Sequence, residues 1–206
     1  MPIVTIIDIA ESKRIEPENK KALMDDIHRE LVDIGKSYKD IIGPQIVLGD
    51  SIQLVSSDWV PPARTIHYML TRNLRLYVGI GTSRIMIYHK DINRCDGPAF
   101  WNAREAIDIL KKTRRHTKYT PPALLNIKLE QNTPTTETNN VKLIVLYSLW
   151  INNLRKETRR YAYEYIWRGK REIDIAKKEK KERANISIIL RRHQFDIVSL
   201  IKNLTL

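Results

Sequence analysis

The sequence predicts an α+β protein in two parts: a ferredoxin-like palm over residues 1–129 and an all-α helix-turn-helix domain over 141–206, joined by a linker at 130–140. Three observations predict it. Apolar runs and helical periodicities follow one another in the order β-α-β-β-α-β through the first half. Basic residues concentrate in the last third, with 16 Lys and Arg against 7 Asp and Glu from residue 141 onward, compared with 20 against 17 before it. Between the two lies Leu129-Glu-Gln-Asn-Thr-Pro-Thr-Thr-Glu-Thr-Asn-Asn140, polar and proline-containing, a linker composition.

The elements follow in order. Ile3–Ile7 is a short apolar run closed by Asp8, and reads as a strand. After the polar loop Glu11–Arg14, Pro17-Glu18 opens an amphipathic helix whose Leu23, Ile27, Leu31 and Ile34 share a face until Gly35. Gln45–Val55 is a hairpin turning at Gly49-Asp50. Pro61-Pro62 begins a second helix with Ala63, Ile66, Met69 and Leu70 inward, and Leu74–Ile80 alternates as a strand before Gly81. Arg84–His89 is expected to pair back as a further strand. Ala99–Lys112 is a third helix with Trp101, Ala106, Ile109 and Leu110 as packing residues, and its end is basic at Lys111, Lys112, Arg114 and Arg115.

Past the linker, Val141–Trp150, Lys156–Trp167, Glu172–Lys178 and Glu182–His193 are expected helices. The last buries Ile186, Ile189 and Leu190, with Arg183, Asn185, Arg191 and Arg192 on other faces. Ala176 and Ile186 match the small and branched positions at which two helices of a helix-turn-helix cross. In Tyr161–Trp167, helical spacing places Tyr163, Ile166 and Trp167 in a three-helix core, although an aromatic run of this kind also suits base stacking.

Composition narrows the partners. A net charge of +12 favours an anionic one, nucleic acid first and an acidic membrane surface second. The single cysteine, Cys95, cannot form an internal disulfide, no apolar stretch approaches the roughly 20 residues that span a bilayer, and Ile3–Ile7 is too short for a signal-peptide core. The expectation is a soluble cytoplasmic protein. Five dispersed histidines without ligand spacing point away from zinc.

The candidate chemistry rests on Asp8 and Asp50. In the predicted strand order the first strand lies beside the hairpin, so both carboxylates fall at one sheet end, where oxygen ligands hold Mg²⁺ together with substrate phosphates. Either aspartate alone is better explained as a strand end or a hairpin turn, and it is the two together that point to a metal. Lys13, from the loop after Asp8, and Arg104, from the third helix, are candidate phosphate contacts, with solvated surface charge as the alternative. Gly79-Ile-Gly81 leaves room for close approach of another backbone or a ligand, or marks a strand end.

Ile7-Asp-Ile-Ala-Glu-Ser-Lys13, Leu48-Gly-Asp50, Leu74–Gly81, Asp96–Arg104 and Gly169–Arg192 together resemble the SatD family across nearly the whole chain. More distantly, the N-terminal motifs are similar to class III nucleotide cyclases and diguanylate cyclases. That resemblance implies that Asp8 and Asp50 are metal ligands, that Gly49 and Ser51 lie at the nucleotide, and that Arg104 reaches an α-phosphate. Phe100 stands where a cyclase has a ribose-contacting asparagine, Ser51 replaces a second acidic residue, and Glu179 and Lys180 occupy a turn where an apolar residue and a glycine are usual.

The functional expectation is a DNA-binding regulator whose N-terminal domain senses a nucleotide of unspecified base with Mg²⁺, Arg183, Asn185, Arg191 and Arg192 contacting DNA. A homodimer would suit paired half-sites. The alternative is an enzyme, a nucleotidyl cyclase or oligonucleotide synthase, using the same two carboxylates.

Overall fold

The computed structural model describes residues 1–47, 49–114, 123–130, 134–193 and 195. It is a mixed α+β structure with a five-stranded sheet and seven α-helices among the described residues, and its contacts divide the chain into two compact units, Met1–Asn152 and Asn153–Leu206. No helix among the described residues is long and apolar enough to cross a membrane.

In the first unit the strands are β1 (Ile3–Ile9), β2 (Ile41–Val47), β3 (Ser51–Ser56), β4 (Leu76–Thr82) and β5 (Ala123–Lys128), in the spatial order β2-β3-β1-β4-β5. β1 is antiparallel to both β3 and β4, while β4 and β5 are parallel. Two split β-α-β units therefore interleave, with α1 (Pro17–Ser37) joining β1 to β2 and α2 (Val60–Thr71) joining β3 to β4. β1 is central, and six of its seven residues are buried, which accounts for its largely apolar sequence on both faces. β2 is an edge, and its register shifts around Gly43-Pro44, where a proline removes no interior ladder bond.

Both sheet faces are covered. Ile27, Leu31 and Ile34 of α1 are buried, and every residue of α2 is buried. The two helices are tied by Arg64, itself 5% exposed, which donates to Glu30 Oε1 at 3.0 Å and Asp33 Oδ2 at 2.5 Å. The opposite face belongs to α3 (Pro98–Arg114), whose Ala99, Phe100, Ala103 and Ile107 pack on Val4, Ile6, Val55 and Tyr77.

That packing is unusually close. A Cβ on Gly79 would stand 2.2 Å from the Ala103 carbonyl oxygen, and one on Gly81 would stand 2.2 Å from that of Ala99. Gly79-Ile-Gly81 is thus the seat on which the α3 backbone rests, and the alanines opposite complete the fit. The seat also selects the helix face. Trp101 and Ile109, expected inward, are 51% and 46% exposed, because only the small-residue side can descend onto glycine, while Ala106 is buried as expected.

The expected strand over Arg84–His89 does not form. The sheet edge beside β4 is taken by β5, a strand absent from the sequence reading, and the segment retains a single bridge, Ile87 with Asp96. The chain also continues in the first unit past 129. α4 (Thr135–Asn152) begins inside the segment read as linker, of which residues 131–133 lie outside the described residues. It docks on α2 through the Tyr147 hydroxyl, 2.7 Å from His67 Nδ1, and on β5 through the Asn152 amide, which pairs with both the N–H and the C=O of Ala123.

The second unit holds α5 (Lys156–Ile166), α6 (Glu172–Glu179) and α7 (Arg183–Arg192) around Tyr161, Tyr163, Ile166, Trp167, Ile175, Ala176, Ile186 and Leu190, all buried. Those aromatics are therefore core and are not available as a stacking platform. Ion pairs Lys178–Glu164 at 2.6 Å and Arg160–Glu179 at 2.5 Å join α5 to α6. Three residues separate α6 from α7, a short turn. Lys180 sits in the left-handed region at φ 53° and ψ 44°, with Lys181 N donating to Ala176 O at 2.9 Å and Lys180 N to Lys177 O at 3.3 Å, a Schellman closure with lysine where glycine is preferred.

Two outcomes follow for stability. Gly81→Ala should destabilise the protein by about 1–3 kcal/mol through overpacking against helix backbone, read as a lowered denaturation midpoint. Lys180→Gly should stabilise the second unit by about 0.5–1 kcal/mol by relieving the left-handed conformation, net of the added unfolded-state freedom, read as a raised midpoint for that unit.

Candidate functional site

The sheet end formed by the C-terminus of β1 and the hairpin tip gathers most of the sequence-predicted N-terminal residues. Asp8 is the penultimate residue of β1, opposite Ser51 in β3 and Tyr77 in β4. Strand alternation places it on the face of Val4 and Ile6, beneath the last turn of α3. Asp50 comes one residue before Ser51, and its carbonyl accepts from Ile9 N at 3.4 Å. Gly49, at φ 86° with nothing within 4 Å of its missing Cβ among the described residues, lets the tip turn. Leu48 lies outside the described residues.

The two carboxylates take different partners. Asp8 Oδ2 accepts from Lys111 Nζ at 2.6 Å, an ion pair whose side chains are 24% and 47% exposed. Asp50 Oδ2 accepts a short hydrogen bond from the buried Ser12 hydroxyl. Ser12 belongs to the single turn Ser12–Arg14, so this bond ties the loop after β1 to the hairpin tip. Lys13 lies in the same turn, exposed, and no hydrogen bond or ion pair joins it to either carboxylate among the described residues.

Arg104 is set apart from this cluster. It lies two helical turns before Lys111, about 10 Å along the axis of α3, and its guanidinium is 3.9 Å from Asp96, which also accepts from Trp101 Nε1 at 3.0 Å. Phe100 is fully buried in the core between α3 and the sheet, and Asn102 donates to the Thr82 carbonyl at 3.2 Å. The helix position that would face a ribose in a cyclase is therefore committed to packing, and the nearby asparagine to backbone.

The donor set at the sheet end is all oxygen: two carboxylates, the Ser12 hydroxyl, Ser51 and hairpin carbonyls. Among the described residues no group of three or more His, Cys, Asp or Glu gathers around one point. An oxygen-only set with two carboxylates suits a hard cation that keeps several waters, which is the coordination of Mg²⁺, and the Lys111 ammonium on Asp8 shows that this end accommodates a positive charge. Sequence reasoning missed Ser12 and Lys111 as members of the site. The signal present was weak, a serine four residues after Asp8 and a lysine in the last turn of the helix.

In the second unit, α7 turns Ile186 and Leu190 inward. The expected inward Ile189 is only partly buried, while Ile188 is 55% exposed. At about 100° per residue, Asn185, Arg191 and Arg192 share the outward side with Ala184 and Ile188. Arg183 departs from this group, because its Nε lies 3.4 Å from Glu172 Oε2 of α6.

No protein-family model matches the chain, and no curated protein matches it.

Because the Ser12 hydroxyl donates to the Asp50 carboxylate, a double-mutant cycle of Ser12→Ala and Asp50→Ala should give a coupling of about 1–2 kcal/mol in denaturant unfolding, between the value for an ordinary hydrogen bond and that for one to a charged group. A coupling near zero would remove the clamp.

Proposed function

We propose that the chain is a DNA-binding regulator whose N-terminal unit is a palm-type domain that binds a nucleotide with Mg²⁺. What supports the nucleotide half is the placement of Asp8 near the end of β1 and of Asp50 at the tip of the adjoining β2–β3 hairpin, in the strand order β2-β3-β1-β4 that a palm requires. Asp8 and Asp50 would hold the ion, with Gly49, Ser51 and Lys13 around it, and the ion would neutralise and orient the phosphates. Arg104 enters this reading only as a more distant phosphate contact, since Asp96 engages it.

The residues also favour sensing over turnover. Phe100 is buried and Ser51 supplies a hydroxyl where a second carboxylate would strengthen a catalytic metal centre. A cyclase needs the ribose held in a reacting pose, and geometry lost at that position costs rate far more than it costs affinity.

For the second unit, the support is regional charge combined with a short α6–α7 turn and an outward α7 side bearing Asn185, Arg191 and Arg192. Arginines on such a helix suit phosphate and base-edge contacts in a major groove, and the amide of Asn185 suits an adenine edge. The resemblance to the SatD family points the same way, and a homodimer reading two half-sites is part of this proposal.

Two measurements test it. Each nucleoside triphosphate with Mg²⁺ should raise the melting temperature of the wild type and not of Asp50→Ala, without pyrophosphate release; Asp50-dependent release would establish the enzyme in place of the sensor, and no thermal shift with any nucleotide would end the nucleotide reading. The Arg191→Ala, Arg192→Ala double variant should bind duplex DNA more weakly, with the salt slope reduced by about one unit per lost phosphate contact; unchanged binding would remove α7 as the interface.

A further inference from the structure

We infer that Lys111 is an exchangeable cation of this site: it occupies Asp8 in the absence of metal and becomes a phosphate ligand when metal takes its place. This rests on the reading of Asp8 and Asp50 as a metal pair. Three features of the chain carry it. The Lys111 ammonium is 2.6 Å from Asp8 Oδ2, the distance of a charge-assisted hydrogen bond, on one of the two oxygens that Asp8 has to offer a metal. A divalent ion bound through Asp8 would lie within a few ångströms of that ammonium, and two cations closing on one carboxylate repel each other. The Lys111 side chain is also 47% exposed on a flexible stem, so that it can leave without disturbing the core.

Its destination follows from where α3 is pinned. The Gly79 and Gly81 seat fixes the helix axis against β4, so the root of Lys111 stays over the sheet end whatever its head contacts. A lysine anchored there and expelled from Asp8 remains within a side-chain length of whatever the metal carries. An anionic phosphate chain is the ligand that replaces the lost carboxylate. Lys13 cannot play this part in the same way, since it is not engaged with either aspartate among the described residues and has nothing to exchange.

Two opposite effects of one substitution are thereby expected. Removing the ammonium should make the metal bind more easily and the polyphosphate less easily. The exposed Lys111–Asp8 pair sets the first effect at roughly 2- to 5-fold, and loss of a charge-assisted phosphate contact sets the second at roughly 10-fold.

The experiment uses the full chain as wild type, Lys111→Met and Asp50→Asn, with Mn²⁺ binding followed by electron paramagnetic resonance and inorganic tripolyphosphate binding followed by calorimetry at saturating Mn²⁺. Met keeps the apolar stem, and an unchanged melting temperature confirms that the variant is folded. Tighter Mn²⁺ with weaker tripolyphosphate for Lys111→Met supports the inference. If Lys111→Met matches wild type in either titration while Asp50→Asn abolishes Mn²⁺ binding, the exchange is overturned and the metal pair stands. If neither wild type nor Lys111→Met binds Mn²⁺ at millimolar concentration, the metal pair and the exchange fall together.

Discussion

The approach of the α3 backbone to β4 over Gly79 and Gly81 is the constraint on which the rest of the first unit depends. Two side chains of zero volume on one strand, facing Ala99 and Ala103 on the helix, let the two backbones come nearer than any larger pair of residues would permit. The helix then has one orientation available. Phe100 and Ile107 are drawn into the core, Trp101 and Ile109 are left outside, and β5 emerges beyond α3 to close the sheet edge beside β4 in parallel. A right-handed crossover through a helix is the ordinary way to reach a parallel neighbour, and here the glycine seat decides how tightly that helix lies.

The same constraint shapes the polar end of the sheet. Antiparallel pairing of β1 with β3 puts Asp8 beside Ser51 and brings Asp50 to the tip, but pairing alone would leave two solvated carboxylates. It is the tertiary environment that gives each a partner: the last turn of α3 delivers Lys111 to Asp8, and the loop after β1 delivers Ser12 to Asp50. Two like charges at one sheet end are tolerable when each has a donor of its own.

In the second unit the balance between local rule and tertiary demand is visible at Lys180. Left-handed backbone is costly for a residue with a Cβ, yet the Schellman bonds at Lys180 and Lys181 require it. The conformation persists because burying Ala176 and Ile186 against α5 demands a turn that short between α6 and α7. Charge follows packing in the same way, since Arg183 is recruited by Glu172 while Asn185, Arg191 and Arg192 keep the outer side of α7.

What the sequence determined by itself was whatever depends on nearest neighbours and period. The Ile3–Ile7 strand, the Pro17 helix, the hairpin at Gly49-Asp50, the Pro61-Pro62 helix, β4 and the four C-terminal helices were all legible, because alternation, helical spacing and turn residues are local properties. The positions of Asp8 near a strand end and of Asp50 at the neighbouring hairpin tip were legible because strand order follows from element order. Only the tertiary structure decided the inward face of α3, the existence of β5, the continuation of the first unit through α4 to Asn152, and the partners Ser12 and Lys111. These depend on contacts between residues far apart in the chain, such as Ala103 with Gly79, Tyr147 with His67 and Lys111 with Asp8. A helix with apolar residues on two sides has no local reason to prefer either until a surface of matching shape is presented to it.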